Sequence, residues 1–343
     1  MKKLFECQLD NSSSDLFLIN SLEQLKHREE AVWVCDENSA YLIPQNIEPL
    51  ILQAGEEYKG WSSIEKIVDH ALKKLASRDS FFIAVGGGVV CDMVGFAASI
   101  YMRGAKLALV PTTLLAMVDA SLGGKCAIDL YNLKNIVGTF YPAQEIYLLP
   151  SSLSTLNDKE YKNGLGEVIK HALLSKDDTI AQFLEINSEK ILNRDEKIVE
   201  KMIIDSLLVK KSFIEADPKE TKGIREALNF GHTFAHALES MGSLSAYSHG
   251  EAVAWGMGKA LETGLLLNLT SEEIAFRYKK ILKAYGFNLK IEVTDKNLFL
   301  NSLKHDKKKR SSKLKFVLLE KQGTVTLKEL DEALIEQLII KNL

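Results

Sequence analysis

The sequence predicts an α/β N-terminal domain with a parallel sheet, followed by a mainly α-helical C-terminal domain. Through the first 150 residues, short apolar runs alternate with segments of helical periodicity. After Pro150 the helical periodicity is nearly continuous, and a β-rich stretch returns only at residues 313–327. A chain of 343 residues has the length of two ordinary domains. We therefore expect one domain at residues 1–150 and a second at residues 151–343.

The strands of the first domain are predicted by β-rich runs that end in turn or polar residues. These runs are "AVWVCD" (31–36), "FFIAVGGG" (81–88) and "KLALVPTT" (106–113). Between the first two, apolar residues from Ile64 to Leu75 recur with the period of a helix. Alternation of strands and helices favours a parallel sheet covered by helices, with ligands at the carboxyl ends of the strands.

Two segments of the second domain have a distinct pattern. "GIREALNFGHTFAHALES" (223–240) is apolar nearly all round, which predicts a buried helix. "KLKFVLLEKQGTVTL" (313–327) predicts a small hairpin that turns at Gln322 and Gly323.

The composition indicates a globular protein that binds neither nucleic acid nor membranes. Apolar residues make up 46% of the chain, charged residues make up 26%, and the formal net charge is −3. The start of the chain, MKKLFECQLD, lacks the apolar run of a signal peptide, and the longest apolar stretch (107–118) is broken at Pro111. The four cysteines are far apart in sequence, which is typical of reduced thiols. We therefore expect a cytoplasmic protein.

A glycine run, "VGGGVVCDMVGFAAS" (85–99), joins a predicted strand to a predicted helix. Glycines there let backbone N–H groups approach phosphate oxygens at a helix N-terminus. The pattern departs from a dinucleotide-binding fingerprint, because Cys91 stands where the third glycine would fall and the strand is not the first one. The run is either a diphosphate-binding loop or a plain tight turn.

Polar side chains punctuate the apolar, glycine-rich stretch at residues 101–142. They are Arg103, Asp119, Lys125, Lys134 and Asn135. Each alone is typical of surface charge, but several beside a glycine loop favour an anion-binding site.

Glutamate and histidine residues of the second domain have spacings that suit a metal site. His232 and His236 are four residues apart, as are Glu167 and His171, so each pair lies on one helix face. A further histidine, His249, precedes another helical run, and one Glu with two or three His from separate helices is typical of catalytic zinc. Spacing alone leaves open two ligands, one ligand and one helper, or buried structural histidines.

The basic run "LKHDKKKRSSKLK" (303–315) has three interpretations. It is a solvated loop, a loop whose first lysine folds over an anionic substrate, or a nucleic-acid contact, which the acidic balance of the chain disfavours.

An ordered set of motifs resembles the 3-dehydroquinate synthase family of sugar-phosphate cyclases over nearly the whole chain. The motifs are "GGGVVCD", "YMRG", "PTTLLAMVDASLGGK", "LKNIVGTFYP", "GEVIKHA", "LNFGHTFAHALE", "SHGEAVAWGM" and "HDKK". The resemblance implies a Rossmann-like NAD-binding α/β domain, a helical metal- and substrate-binding domain, an active site in the interdomain cleft, and a homodimer. It implies conversion of the sugar-acid phosphate 3-deoxy-D-arabino-heptulosonate 7-phosphate to 3-dehydroquinate and phosphate, in the shikimate pathway of aromatic amino-acid biosynthesis. The steps would be transient oxidation by NAD, β-elimination of phosphate, reduction, ring opening and aldol closure, with one Zn²⁺ or Co²⁺.

The resemblance also implies roles for single residues. The metal ligands would be Glu167, His232 and His249. Substrate and cofactor positions would be Asp119, Lys125, Lys134, Asn135, Lys170, Arg225, Asn229, His236 and Lys307, with Arg103 reaching the partner subunit's site. The NAD site would take Asp36, Gly55, Glu56, Lys59, Gly87, Gly88, Val89, Asp92, Thr112 and Thr113, with Asp119, Lys125 and Lys134. One further family lysine corresponds to Lys210 or Lys211, depending on the side from which an apparent insertion is counted, and we favour Lys210.

The sequence departs from the family pattern at three positions, none of which carries an assigned charge. Cys126 replaces a threonine, Ala235 replaces a glycine and Pro218 replaces an acid. The alternatives are another cyclase such as 2-deoxy-scyllo-inosose synthase, a glycerol-dehydrogenase-like oxidoreductase, or a non-catalytic NAD-binding module. Arg225, Asn229 and the paired lysines favour a substrate with a carboxylate.

Overall fold

The computed structural model describes residues 1–131, 133–241, 247–293, 295–310 and 315–340, except the side chains of residues 304–310, 332 and 340. The contacts of the chain divide it into two compact units. The first unit contains Met1–Asn157 and Lys210–Lys219, and the second contains Asp158–Val209 and Glu220–Leu343.

The first unit is built on a seven-stranded sheet and also contains a two-stranded sheet. In chain order the strands are β1 (Lys2–Leu9), β2 (Ser12–Leu18), β3 (Val32–Asp36), β4 (Leu50–Leu52), β5 (Phe81–Gly86), β6 (Lys106–Pro111), β7 (Lys125–Leu130), β8 (Leu133–Phe140) and β9 (Glu145–Leu148). The large sheet has the order β1-β2-β9-β6-β5-β3-β4. Its strands pair in parallel, except that β1 and β2 are antiparallel. β7 and β8 form the antiparallel two-stranded sheet.

The central strands of the large sheet are buried because their residues are apolar on both faces. One core cluster contains Leu25, Trp33, Ile83 and Tyr147. The indole N–H of Trp33 donates to the backbone oxygen of Arg28 at 2.9 Å, so its polar atom is satisfied in the core. Helices α1 (Trp61–Lys73) and α2 (Gly88–Ile100) follow β4 and β5. The predicted parallel sheet with covering helices is therefore confirmed.

Six strands of this unit lack a signal in the sequence analysis: β1, β2, β4, β7, β8 and β9. In β8, seven of the eight residues are exposed and the other is half-buried, so the strand has no alternating buried face. Its position is fixed by pairing with β7 and by side-chain contacts, which a periodicity analysis does not detect.

The second unit is mainly α-helical, as the sequence predicts. Its helices are α3 (Asp158–Leu174), α4 (Thr179–Leu192), α5 (Glu196–Ala216), α6 (His232–Met241), α7 (His249–Leu266), α8 (Glu272–Ala284), α9 (Lys296–Arg310) and α10 (Glu332–Ile340). The last residues of α5, from Lys210 onwards, belong by their contacts to the first unit. β10 (Lys315–Lys321) and β11 (Thr324–Glu329) form the predicted hairpin. Within the described ranges, no helix combines the length and the apolarity that a membrane crossing requires.

Two expectations for the second unit are wrong. Residues 223–240 do not form one buried helix, because a short 3₁₀ helix (Arg225–Asn229) ends before α6 begins at His232. Gly231 lies between them with φ of +80°, a left-handed conformation that interrupts a helix. The basic run is not a loop over residues 303–310, because α9 continues to Arg310. Lysine and arginine are good helix formers, so a basic run does not by itself end a helix.

Candidate active site

The predicted cofactor residues of the first unit follow the carboxyl ends of four neighbouring parallel strands. Asp36 ends β3, Gly55 follows β4, Gly87 follows β5 and Thr112 follows β6. In parallel α/β sheets, ligands bind at the carboxyl ends of the strands. The sheet topology therefore brings together residues that are far apart in sequence.

The glycine loop between β5 and α2 is closely packed against the end of β6. The N–H of Thr112 donates to the oxygen of Gly86 at 2.9 Å. A Cβ atom on Gly87 would lie 3.1 Å from Cγ2 of Thr113, so a larger residue would crowd the loop. α2 begins at Gly88, and its first turn contains the half-buried Val89. The first N–H groups of a helix have no acceptor within it, so this turn suits a phosphate.

Asp36 is held by Ser39 at the end of β3. Its Oδ1 accepts hydrogen bonds from the backbone N–H of Ser39 at 2.9 Å and from its hydroxyl at 2.5 Å. The carboxylate therefore has a fixed position, as recognition of a ribose requires.

A buried lysine connects α2 to β8. Nζ of Lys59 lies 2.7 Å from Oδ2 of Asp92 and 2.6 Å from Oδ1 of Asn135. Burial would lower the pKa of Lys59, but Asp92 and Glu56 raise it above its ordinary value, so the ammonium stays charged. Burial raises the pKa of Asp92 to about 6, although Lys59 opposes this. Lys134, the neighbour of Asn135, lies 3.7 Å from Glu56.

Two adjacent lysines near the end of α5 have different surroundings. Lys210 is buried, and its Nζ lies 2.5 Å from Oδ1 of Asp119 and also contacts the backbone oxygen of that residue. Lys211 pairs with Glu215 at 3.1 Å and lies over the ring of Phe5. Of the two, Lys210 is the one that contacts a predicted site residue.

In the second unit, Glu167, His232 and His249 converge from three helices. Nε2 of His232 lies 3.5 Å from Oε1 of Glu167, and Nε2 of His249 lies 3.4 Å from the same oxygen. All three possible ligand atoms lie within 4.8 Å of one another. Glu167 is fully buried, whereas the two histidines are partly exposed. Catalytic metal sites keep one such side open for water or substrate.

Glycines beside the three residues let the helices approach closely. Gly166 precedes Glu167 on α3, and a Cβ atom there would lie 3.1 Å from the oxygen of Gly250 on α7. Gly250 follows His249, and its own Cβ atom would lie 2.5 Å from Cα of Asn163 on α3. Gly231 precedes His232, and its Cβ atom would lie 2.7 Å from the backbone nitrogen of Met257 on α7. Each residue of the cluster therefore stands beside a point of close contact between helices.

The charges around Glu167 keep it ionised. Burial would raise its pKa, but Lys170, one turn along α3, and the two histidines hold the pKa well below its ordinary value. Burial and Lys170 lower the pKa of His232, which favours the neutral imidazole. An ionised carboxylate and a neutral imidazole are the forms that bind a metal ion.

The donor set fits a divalent metal ion. Two ligand atoms about 2.1 Å from a tetrahedral ion are separated by about 3.4 Å, which agrees with the spacing of Glu167 from each histidine. Oε1 of Glu167 is buried and has no hydrogen-bond partner among the described residues. Nδ1 of His232 lies 3.3 Å from the oxygen of Phe230, and Nδ1 of His249 lies 3.1 Å from Oε1 of Glu239. Because each Nδ1 atom has its own partner, the Nε2 atom of each histidine points towards Glu167.

His236 lies one turn along α6 from His232, with ring centroids 5.6 Å apart, and does not belong to the converging set. His171 lies with Nδ1 2.7 Å from Oγ of Ser206. Arg225 is buried and lies 3.4 Å from Glu220. Asn229 is half-buried at the end of the same 3₁₀ helix.

For three other predicted residues, the structure gives a position in the fold. Lys125 is exposed at the start of β7, and Arg103 is exposed in a turn with φ of +64°. Lys307 falls within α9, but its side chain lies outside the described part of the chain.

Glu239 and Asp129, to which the sequence analysis gives no role, contact predicted site residues. Glu239 contacts His249, and Asp129 accepts a hydrogen bond from the backbone N–H of Asn135. Glu239 lies two turns after His232 on α6, which is a signal that could have pointed to it. Asp129 lies in the unpredicted β7–β8 hairpin, so the sequence patterns offered no signal for it.

Comparisons with known proteins agree with this architecture. A family model described as 3-dehydroquinate synthase N-terminal matches residues 49–163, and one described as 3-dehydroquinate synthase C-terminal matches residues 164–309. A 3-dehydroquinate synthase of Dictyoglomus turgidum is 37% identical over 341 residues, covering 99% of this chain and 91% of the relative. A solved 2-deoxy-scyllo-inosose synthase complexed with carbaglucose-6-phosphate, NAD⁺ and Co²⁺ is 27% identical, with a TM-score of 0.85 and coverage of 98% of each chain.

A longer relative shares only part of its length with this chain. A bifunctional 3-dehydroquinate synthase/phosphatase of Fusobacterium nucleatum is 39% identical over 290 residues, or 84% of this chain. The match covers 44% of the length of that relative, so it carries nothing about a phosphatase activity.

Proposed function

This chain belongs to the 3-dehydroquinate synthase family and has the lyase activity of that family, and we propose that it works with NAD⁺ and one divalent metal ion. The observation that carries this proposal is the convergence of Glu167, His232 and His249 at metal-ligand spacing. The cobalt- and NAD⁺-containing cyclase structure supports the same cofactors. The metal would be Zn²⁺ or Co²⁺, since both accept one carboxylate and two imidazoles.

The bound cofactors supply chemistry that side chains lack. NAD⁺, when bound, would supply an acceptor that takes a hydride and later gives it back, and the metal ion would supply the positive charge that polarises the oxidised hydroxyl. The cradle formed by Asp36, the glycine loop and the Lys59–Asp92 pair would hold NAD⁺. Because the hydride is returned, NADH should not accumulate.

The polar residues would bind the two anionic groups of the substrate. In the second unit we assign this role to Lys170, Arg225, Asn229, His236 and Lys307, and in the first unit to Lys125, Asn135 and Lys210. Phosphate and carboxylate groups require such donors, and a buried lysine or arginine stabilises negative charge strongly. Lys170, buried beside Glu167, is close enough to the metal ligands to contact a group bound there. The departing phosphate would assist proton removal, so the proposal requires no dedicated protein base.

The test is substrate turnover with metal analysis on the same sample. Purified protein with NAD⁺ and Zn²⁺ or Co²⁺ should release phosphate from the heptulosonate phosphate and form 3-dehydroquinate, without accumulation of NADH. A chelator should stop the reaction, and added metal should restore it. Turnover unaffected by the chelator would contradict the metal role, and net NADH formation would indicate a simple dehydrogenase.

A pair of variants on one helix tests the ligand assignment. His232→Ala should lose bound metal, whereas His236→Ala, one turn away, should retain it and lose only turnover. Loss of metal from both variants would favour a site that includes His236.

The principal alternative is a cyclase that acts on a sugar phosphate without a carboxylate. The chain is 37% identical to a 3-dehydroquinate synthase and 27% identical to the 2-deoxy-scyllo-inosose synthase, which favours the former. Turnover of a hexose phosphate, but not of the heptulosonate phosphate, would reverse that preference.

We also propose a homodimer in which Arg103 reaches the partner subunit's site. An exposed arginine on a turn with positive φ supports such a contact. A monomeric mass in solution at working concentrations would contradict this arrangement.

A further inference from the structure

We propose that Asp129 is a positioning residue for cofactor binding, because it holds Asn135 against the buried Lys59. This inference rests on the proposed function, in which Lys59 and Asp92 belong to the NAD⁺ cradle. It assigns a role to a residue that would not itself touch the cofactor.

Asp129 holds the backbone of Asn135 directly. Oδ1 of Asp129 accepts a hydrogen bond from the backbone N–H of Asn135 at 2.7 Å. Asn135 has φ of +53°, a left-handed conformation within β8 that costs free energy unless its surroundings fix it. The β7–β8 register is interrupted between Ile128 and Leu130, so Asp129 stands at the irregularity. The carboxylate of Asp129 thus accepts the hydrogen bond of the Asn135 backbone N–H, in place of a backbone oxygen of the neighbouring strand.

The β7–β8 hairpin is bonded to Lys59 through both Asp129 and Asn135. The backbone N–H of Asp129 donates to the oxygen of Lys59 at 2.8 Å. The side chain of Asn135 returns to the same residue, since its Oδ1 accepts from Nζ of Lys59 at 2.6 Å. Asp129 therefore fixes both the main chain of Lys59 and the partner of its ammonium group.

Core packing does not hold Asn135 in place. Seven of the eight residues of β8 are exposed, and Asn135 is one of them. Lys59, in contrast, is only 4% exposed, and its ammonium needs its partners because an underpaired buried charge is costly. Without Asp129 we expect Asn135 to leave the left-handed conformation. The Lys59–Asp92 pair would then lose one of its contacts at the cofactor cradle.

The experiment measures the dissociation constant of NAD⁺ by calorimetry on full-length, metal-loaded protein. Asp129→Ala should weaken NAD⁺ binding about tenfold, the effect of losing one hydrogen bond to a charged group. Asp129→Asn keeps an acceptor oxygen and should restore affinity to within about threefold of the wild-type value. Metal content should be the same in all variants, because the metal cluster lies in the second unit.

A double-mutant cycle separates positioning from a general loss of structure. If Asp129 acts through Asn135, Asp129→Ala should add little to the NAD⁺ affinity lost in Asn135→Ala. Independent, additive losses would overturn the proposal, as would unchanged affinity in Asp129→Ala. In wild-type protein the amide of Asn135 should be protected from hydrogen exchange, and rapid exchange there would overturn it even if Asp129→Ala does not fold.

The wild-type titration separates this inference from the proposed function. If wild-type protein does not bind NAD⁺, the proposed function fails. If wild-type protein binds NAD⁺ and Asp129→Ala binds it equally well, only the role of Asp129 fails.

Discussion

Oε1 of Glu239 lies 3.1 Å from Nδ1 of His249, on the opposite side of the imidazole from the nitrogen that faces Glu167. Burial would lower the pKa of His249, but Glu167 and Glu239 raise it to about 10. A metal ion bound at Nε2 would take the place of the proton on that nitrogen, while Nδ1–H still donates to Glu239. Partners of this kind fix the tautomer and the ring orientation of metal-binding histidines.

Replacement of Glu239 is expected to weaken metal binding without removing a ligand. Glu239→Ala should lower metal affinity by about 10- to 100-fold, and Glu239→Gln, which keeps an acceptor oxygen, should lower it less. Competition with a fluorescent chelator would measure both constants. Glu273→Ala, at an exposed position in the first turn of α8, is the matched control and should bind metal as the wild type does. Equal affinity in Glu239→Ala would contradict the orienting role.

Gly250→Ala should damage both folding and metal binding. The added Cβ atom would lie 2.5 Å from Cα of Asn163, so α3 and α7 must separate and carry Glu167 away from His249. Overpacking of this kind costs about 1–3 kcal/mol of unfolding free energy. Denaturant unfolding and metal titration would measure the two effects.

A second glycine of α7 supplies the control for that substitution. A Cβ atom on Gly258 would lie 3.6 Å from Leu289, which is ordinary contact. Gly258→Ala should therefore leave metal binding unchanged and, by helix propensity, stabilise the protein by up to about 1 kcal/mol. If Gly250→Ala and Gly258→Ala lost similar amounts of stability and metal affinity, the close contact of α3 and α7 would not be what positions the metal ligands.

The adjacent lysines of α5 should differ sharply in their effect on turnover. Lys210→Ala removes the ammonium that lies 2.5 Å from Asp119, and we expect kcat/KM to fall by about 100-fold or more. Lys211→Ala removes a partly exposed pair with Glu215 and should change kcat/KM by less than about threefold. Steady-state kinetics would compare them, and the reverse order would assign the family lysine to Lys211.

The pH dependence of NAD⁺ binding should report Asp92. Burial raises the pKa of this carboxyl to about 6 against the opposing charge of Lys59. The group is therefore ionised above pH 6 and takes up a proton below it, where it no longer pairs as a carboxylate with the ammonium of Lys59. NAD⁺ affinity should fall as the pH decreases through 6, and Asp92→Asn should bind weakly at all pH values. An unchanged pH profile in that variant would assign the transition to another group.

The sequence alone predicted the elements whose burial follows from their apolar pattern. β3, β5 and β6 are continuous apolar runs, and α1 has a clear helical period, so these were found. Gly231 was missed as a helix break, because nothing in a single sequence distinguishes a left-handed glycine from a helical one. The basic run at residues 303–315 is predicted as a loop from its charge, but its residues up to Arg310 belong to α9, because lysine and arginine favour helices.

The converging cluster could be predicted only in part from spacing. The pair His232 and His236 gave a local signal, but Glu167 and His249 lie on other helices, and only the motif resemblance joined them. Glu239 shares α6 with His232, but its contact with His249, like that of Asp129 with Asn135, joins segments that no periodicity connects. Finding these contacts required the three-dimensional arrangement.

The glycine beside each residue of the cluster sets a condition for moving this site to another protein. Grafting Glu167, His232 and His249 onto three helices at ordinary separation would place the donor atoms too far apart for one ion. A designer would have to transplant dipeptides, Gly166 with Glu167, Gly231 with His232 and His249 with Gly250, together with the backbone surfaces that they meet. The part that would have to be transplanted is therefore the close crossing of the three helices, and not the three side chains alone.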